Sequence, residues 1–203
     1  MKTQEKVRSR DYQAVVIGTS AGGMKALQTI FKSLPGDFSL SIIVVQHVHP
    51  DSDDYMINIL NQESALEIKQ ADEKEPIRPG TVYFAPPNYH LLVETDKTLS
   101  LTVNERVCYA RPSIDVLFET ASDAYANKLI GIILTGGNFD GSRGLKKIKE
   151  SGGLTIVQDP MTAEAASMPQ EAIASTKVDH ILPLNEIGPF LVEITKDSKK
   201  NRS

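Results

Sequence analysis

The stretch Ala14–Val15–Val16–Ile17–Gly18–Thr19–Ser20–Ala21–Gly22–Gly23 passes from an unbroken apolar run into a turn of small residues. An apolar run without alternation reads as a strand buried on both faces, as in a parallel sheet covered by helices. Met24–Lys25–Ala26–Leu27–Gln28–Thr29–Ile30–Phe31 then follows a helical pattern, and Pro35–Gly36 ends the unit. The signature recurs. Residues 41–46, 129–134 and 154–158 are further apolar strands, with a short one near Ile181. Helical patterns lie at 54–62, 113–125 with Ser113 as the cap, 141–150 before Gly152–Gly153, and 186–195. The middle differs: residues 81–85, 89–95 and 99–103 read as short strands separated by Pro86–Pro87–Asn88 and Asp96–Lys97, which predicts an antiparallel excursion. The expected fold class is α/β, doubly wound, with a mostly parallel sheet and helices on both faces.

At 203 residues the chain fits one domain, spanning 13–195 between a polar segment (1–12) and a basic tail (196–203) that carries Lys196, Lys199, Lys200 and Arg202. Cys108 is the only cysteine, so no intrachain disulfide can form, which points to a reducing compartment. Residues 1–13 lack the apolar core of a signal peptide, and no apolar run reaches bilayer length. A cytoplasmic protein without membrane insertion is expected. The net charge of −4 and the absence of tryptophan argue against a nucleic-acid partner.

Gly18–Thr19–Ser20–Ala21–Gly22 matches G-x-S-x-G between a buried strand and a helix. Such a sharp turn lifts a serine hydroxyl above the sheet edge, and amides at the helix start can hold an oxyanion. An ordinary glycine-rich turn or a phosphate cradle would look similar, but the Walker lysine is missing and G-x-G-x-x-G does not fit. Open α/β sheets build their sites beyond the carboxyl ends of the strands. His47 follows the strand at 41–46, and Asp140 follows the strand at 129–134. Ser20, His47 and Asp140 would then share one edge as nucleophile, base and orienting carboxylate. The bland alternatives are that Asp140 caps the helix after it and that His47 is an incidental loop residue. A metal reading competes: His47–Val48–His49–Pro50–Asp51 resembles the H-x-H-x-D run of zinc-dependent hydrolases, although only His90 and His180 remain as further histidine ligands. Both look like packing or surface residues.

Several runs in order resemble the catalytic domain of the CheB-type chemotaxis protein-glutamate methylesterases, from about Tyr12 to Leu191. They are Ile17–Gly18–Thr19–Ser20–Ala21–Gly22–Gly23, Val45–Gln46–His47, Arg111–Pro112–Ser113–Ile114–Asp115–Val116–Leu117–Phe118, Leu134–Thr135–Gly136 with Asp140–Gly141, Gln158–Asp159–Pro160, and Met168–Pro169–Gln170–Glu171–Ala172. The resemblance implies a three-layer α/β/α domain that hydrolyses glutamyl γ-methyl esters on the cytoplasmic helices of chemoreceptors and releases methanol. Some members also deamidate glutamines. The family's serine, histidine and aspartate fall on Ser20, His47 and Asp140, with the amides of Ala21 and Gly137 as the oxyanion donors and no cofactor or metal.

Two departures stand out. The family usually reads Thr–Gly–Met–Gly–Asn–Asp–Gly where this chain has Thr135–Gly136–Gly137–Asn138–Phe139–Asp140–Gly141, so Gly137 replaces a methionine. Most relatives also carry an N-terminal receiver domain, and residues 1–13 are too few to form one; an open enzyme or one governed by a separate regulatory protein is the expectation. Arg111 is a candidate for substrate contact or for pairing with a nearby acid. Besides the metal-dependent hydrolase, the remaining alternative is a catalytically inactive domain that binds a signalling partner.

Overall fold

The computed structural model describes residues 11–47 and 55–200. Its strands and helices, in chain order, are β1 (Ala14–Thr19), α1 (Gly23–Ser33), β2 (Ser41–Gln46), α2 (Tyr55–Glu63), β3 (Glu67–Gln70), β4 (Thr81–Phe84), β5 (His90–Val93), β6 (Leu99–Thr102), α3 (Ile114–Tyr125), β7 (Leu129–Ile133), α4 (Ser142–Glu150), β8 (Leu154–Gln158), α5 (Ser167–Ser175), β9 (His180–Leu182) and α6 (Leu184–Lys200).

Seven strands form one sheet in the order β3-β4-β2-β1-β7-β8-β9, and every pairing in it is parallel. The pleat sorts the apolar run of β1 between two cores. Val15 and Ile17 join a cluster with Leu27, Ile30 and Phe31 of α1 and Ile187 and Leu191 of α6. Ala14 and Val16 join the opposite cluster with Leu117 and Phe118 of α3 and Leu145 and Ile148 of α4. Ile42 and Val44 of β2 face the first core, and Ile43 and Val45 face the second. Two covered faces explain why these strands show no polar alternation.

The antiparallel excursion is smaller than the sequence suggests. Residues 81–84 form β4 inside the parallel sheet, between β2 and β3, and only β5 and β6 make an antiparallel pair. Burial on both faces accounts for the difference, since all four residues of β4 are buried. Two elements carry little sequence signal. The polar run Glu67–Gln70 is an edge strand, where one side needs no apolar cover, and Ser167–Ser175 makes a helix of weak amphipathicity. At the other end, α6 continues past residue 195 to Lys200, through the first part of the basic tail.

Candidate active site

β1 is flanked by β2 and β7, so the three central strands deliver their following residues to one edge. Thr19 pairs with Gln46 in the last rung between β1 and β2. Ser20 and His47 are therefore the next residues on adjacent strands, which lie about 4.8 Å apart. The His47 N–H donates to Thr19 O at 3.1 Å and so extends the ladder by one bond. Asp140 arrives from the loop after β7.

The turn that carries Ser20 is tied down through its backbone. Ser20 N–H donates to Thr135 O (3.0 Å), and Gly23 N–H donates to Ser20 O (2.9 Å). The Thr135 hydroxyl donates to Ala21 O (2.8 Å) and accepts from Ala165 N–H (2.9 Å). Gly22 has φ +79°, where a side chain would be strained, and a Cβ there would stand 2.7 Å from Glu164 Cβ. Glycine is required at this point of the turn. No hydrogen bond joins Ser20 Oγ to either ring nitrogen of His47, so the serine–histidine side of the constellation is open.

The histidine–aspartate side is closed: His47 Nε2 stands 2.9 Å from Asp140 Oδ2. Asp140 is fully buried. Its Oδ1 accepts from Ser113 Oγ (2.8 Å) and Asp115 N–H (3.0 Å), and its Oδ2 also accepts from Ile114 N–H (2.7 Å). These donors sit at the N-terminus of α3, where free amides and the helix dipole favour a negative charge. Every contact offers Asp140 a proton donor, so His47 presents Nε2–H and leaves Nδ1 as its basic nitrogen. Asn138 Nδ2 lies 3.4 Å from that Nδ1. Serine proteases use the opposite orientation, with Nδ1–H on the aspartate.

Capping differs from the sequence reading. Ser113 occupies the N-cap position of α3 but makes no side-chain cap bond, because its hydroxyl goes to Asp140. Asp140 does not cap the helix that follows it. Gly141 is the N-cap of α4, and the amides there are met by Asp115, whose Oδ1 accepts from Gly141 N–H (3.0 Å) and Gly144 N–H (2.7 Å). Burial, opposed by the Gly144 amide and reinforced by the Asp140 charge, raises the Asp115 pKa.

Of the two oxyanion candidates, Ala21 and Gly137 are both exposed, and no acceptor among the described residues engages either N–H. Gly136 N–H is taken by Ala165 O at 3.0 Å, so only Gly137 of that glycine pair offers a free amide.

Cys108, Asp115 and Asp140 are the only group among the described residues with three ligand-type atoms within 4.8 Å of one another. Both carboxylates already accept backbone amides, and burial, helped by the Asp140 and Asp115 charges, pushes the Cys108 thiol up to about 11. With these oxygens committed to amides, the cluster offers a metal few open donors. Of the histidine-run ligands, His47 is bonded to Asp140, while His49 and Asp51 lie outside the described residues. His90 is buried; its Nδ1 accepts from Ser113 N–H (3.2 Å), and its Nε2 faces Glu105 O (3.0 Å). His180 packs on Phe190, and burial lowers its pKa. Both are structural histidines. Arg111 meets no acid among the described residues. Its Nη1 donates to the carbonyls of Val103 (2.7 Å) and Asn104 (3.1 Å), which ties down the loop beyond β6.

Two residues given no role by sequence join the site, Thr135 behind Ser20 and Asn138 at His47 Nδ1, and Ser113, expected only as a helix cap, lies on the carboxylate. Each sits in a run quoted above, but its polar side chain gave no clue to its partner.

The chain matches the CheB methylesterase family model over residues 15–191. It is 53% identical over 192 residues to a Leptospira interrogans protein that is provisionally named protein-glutamate methylesterase/protein-glutamine glutaminase, covering 95% of this chain and 100% of that protein. It is 34% identical over 195 residues to the protein-glutamate methylesterase/protein-glutamine glutaminase of Clostridium acetobutylicum, with 96% of this chain and 56% of that one covered. The crystal structure of the Thermotoga maritima CheB methylesterase catalytic domain superposes with a TM-score of 0.87 at 34% identity, covering 91% of this chain and all of that one.

Proposed function

Because the chain belongs to the CheB methylesterase family, we propose that it hydrolyses γ-methyl esters of protein glutamates with Ser20 as nucleophile, His47 as base and Asp140 as orienting carboxylate. The observation that carries this reading is the 2.9 Å contact of His47 Nε2 with the buried Asp140 carboxylate, on a loop directly beside Ser20.

In the reaction, Ser20 Oγ loses its proton to His47 Nδ1 and bonds to the ester carbonyl carbon. Negative charge collects on the carbonyl oxygen, where the amides of Ala21 and Gly137 hold it. The bond to the methoxy oxygen breaks, and the leaving group takes the proton from His47 as methanol. A water then gives a proton to His47 and attacks the acyl carbon, which frees the glutamate side chain and restores Ser20. Asp140 holds the ring and stabilises its cationic form at each half-reaction. For Nδ1 to do this work, Ser20 must replace Asn138 as its neighbour, a change left to substrate binding. The same acyl chemistry on a glutamine side chain would release ammonia, and the relatives' paired names fit that second activity. The substrate would be a methylated signalling protein of the chemoreceptor type, met in the cytoplasm; no described helix is long and apolar enough to cross a membrane.

The test is methanol release from a methylated receptor by the wild type, by Ser20→Ala, and with a chelator. Loss in the variant and persistence under chelation is the expected pattern. Persistence in the variant with loss under chelation would replace the serine mechanism by a metal one, and no release from the wild type would leave a partner-binding domain.

A further inference from the structure

Gln46 is the one polar residue of β2 after its opening serine, at the end of the apolar run Ile42–Ile43–Val44–Val45, and it is only 8% exposed. A buried amide is costly unless its hydrogen bonds are made. Its Nε2 donates both of its hydrogens, to Ser20 O and to His47 O, each at 2.9 Å. The amide can sit only one way round, since turning it would set Oε1 against two carbonyl oxygens.

The other end of the group makes no bond. Gln46 Oε1 is buried and has no hydrogen-bond partner among the described residues. It lies so close to Gly23 that a Cβ there would be 1.9 Å away, and Gly23 opens α1. The oxygen therefore sits beside the first residue of that helix, whose N-terminal end favours negative partial charge.

The position explains why a side chain is needed. The β1–β2 ladder stops at Thr19 and Gln46, because Ser20 turns off toward α1. His47 N–H adds one last bond to Thr19 O, and Gly23 N–H from the turn meets Ser20 O; beyond these the two strands share no further rung, and one NH₂ group bridges the carbonyls of Ser20 and His47. We propose that Gln46 is a positioning residue that fixes the approach of Ser20 to His47 by clamping both carbonyls. This rests on Ser20 and His47 being the reacting pair. The pair is not yet hydrogen-bonded in the structure, so the reaction depends on how the two loop tips are held. A misplacement of about 1 Å between reacting groups lowers rates roughly a hundredfold.

Two variants test it. Gln46→Met keeps the volume and removes both donated hydrogens; Gln46→Glu keeps the outline and turns one oxygen toward both carbonyls. For each, methanol release gives kcat and KM, and a fluorophosphonate probe gives the number of reactive serines per chain and their labelling rate. The expected result is a full titre of reactive serine, with kcat and labelling rate reduced roughly 10- to 100-fold and KM within about threefold of the wild type. Wild-type labelling rates in both variants would overturn the clamp. So would a titre that falls in step with activity, since that describes a merely structural residue. Failure of the probe to label Ser20 in the wild type would instead remove the reading on which the inference rests.

Discussion

Asp140 and Asp115 each hold the start of the other's helix. Asp140, just ahead of α4, accepts Ile114 N–H at 2.7 Å and Asp115 N–H at 3.0 Å from the first turn of α3. Asp115, in that first turn, accepts Gly141 N–H at 3.0 Å and Gly144 N–H at 2.7 Å from the start of α4. This exchange packs the two helices at their N-termini and leaves one oxygen edge of Asp140 turned to His47. The carboxylate proposed to orient the base is thus also a structural cap, and its two roles can be separated by measurement.

Ser20→Ala and Asp140→Asn should abolish turnover in different ways. Ser20 Oγ makes no hydrogen bond to His47, so its removal should change stability by less than about 0.5 kcal/mol while esterase activity disappears. In Asp140→Asn, either placement of the amide turns an NH₂ toward a backbone N–H. A loss of about 1–3 kcal/mol is expected, together with a fall in kcat on the order of 10⁴-fold. Urea denaturation beside methanol assays checks both. An Asp140→Asn protein as stable as wild type would mean that the amides of α3 do not depend on this carboxylate.

Asp115 should make stability fall as the solution leaves acid. Burial raises its folded-state pKa above the ordinary aspartate value of 3.8, so between those two values the native state binds more protons than the unfolded one. Stability from this group therefore declines as pH rises through that window, and the deficit persists at neutral pH. Asp115→Asn keeps an oxygen for Gly141 and Gly144 and removes the charge. Its stability relative to wild type should improve from about pH 4 to pH 7, read from denaturation midpoints. Parallel curves for the two proteins across that range would rule out the burial effect.

Much of this architecture is legible in the sequence because two-sided burial leaves a clear mark. The runs at β1, β2, β7 and β8 carry no alternation, and the residues after the first three are those gathered at the edge. Where burial is one-sided or the element lies at an edge, the mark fades, as in β3, and the sequence of β4 points to the antiparallel pair because its neighbours in sequence are a hairpin, whereas it pairs with β2 and β3. The site divides similarly. Ser20, His47 and Asp140 follow from strand ends. The partners of Asp140 do not, since a carboxylate beside a helix start gives no sign that it will cap a helix 26 residues earlier in the chain. Gln46 and Asn138 are invisible for the same reason: their meaning lies in which carbonyl or ring stands opposite.

Cys108 should resist alkylation. With its thiol pushed up to about 11, the thiolate at pH 8 is scarcer than in an ordinary cysteine by roughly a hundredfold. Iodoacetamide should modify the native chain slower than a free thiol by about that factor, and unfolding in urea should restore the ordinary rate. Native modification at the free-thiol rate would show that neither burial nor the two carboxylates controls this sulfur.

Gly137 offers the most direct test of the turn that departs from the family pattern. A Cβ built there meets nothing within 4 Å, and the residue is exposed beside Asn138, which reaches the His47 ring. Methionine should therefore fit without strain while keeping the backbone N–H proposed to hold the oxyanion. Replacing glycine at an unstrained position also restricts the unfolded chain, so stability should rise by about 0.4–1 kcal/mol. The added side chain would give the ester methyl an apolar contact that an amide lacks. Burying one methyl is worth about 0.8 kcal/mol, so kcat/KM for the methyl ester should rise roughly fourfold relative to that for glutamine. Competition between methylated and glutamine-bearing forms of one receptor, followed by methanol and ammonia release, measures that ratio. An unchanged ratio in a folded Gly137→Met protein would place this loop tip out of reach of the substrate.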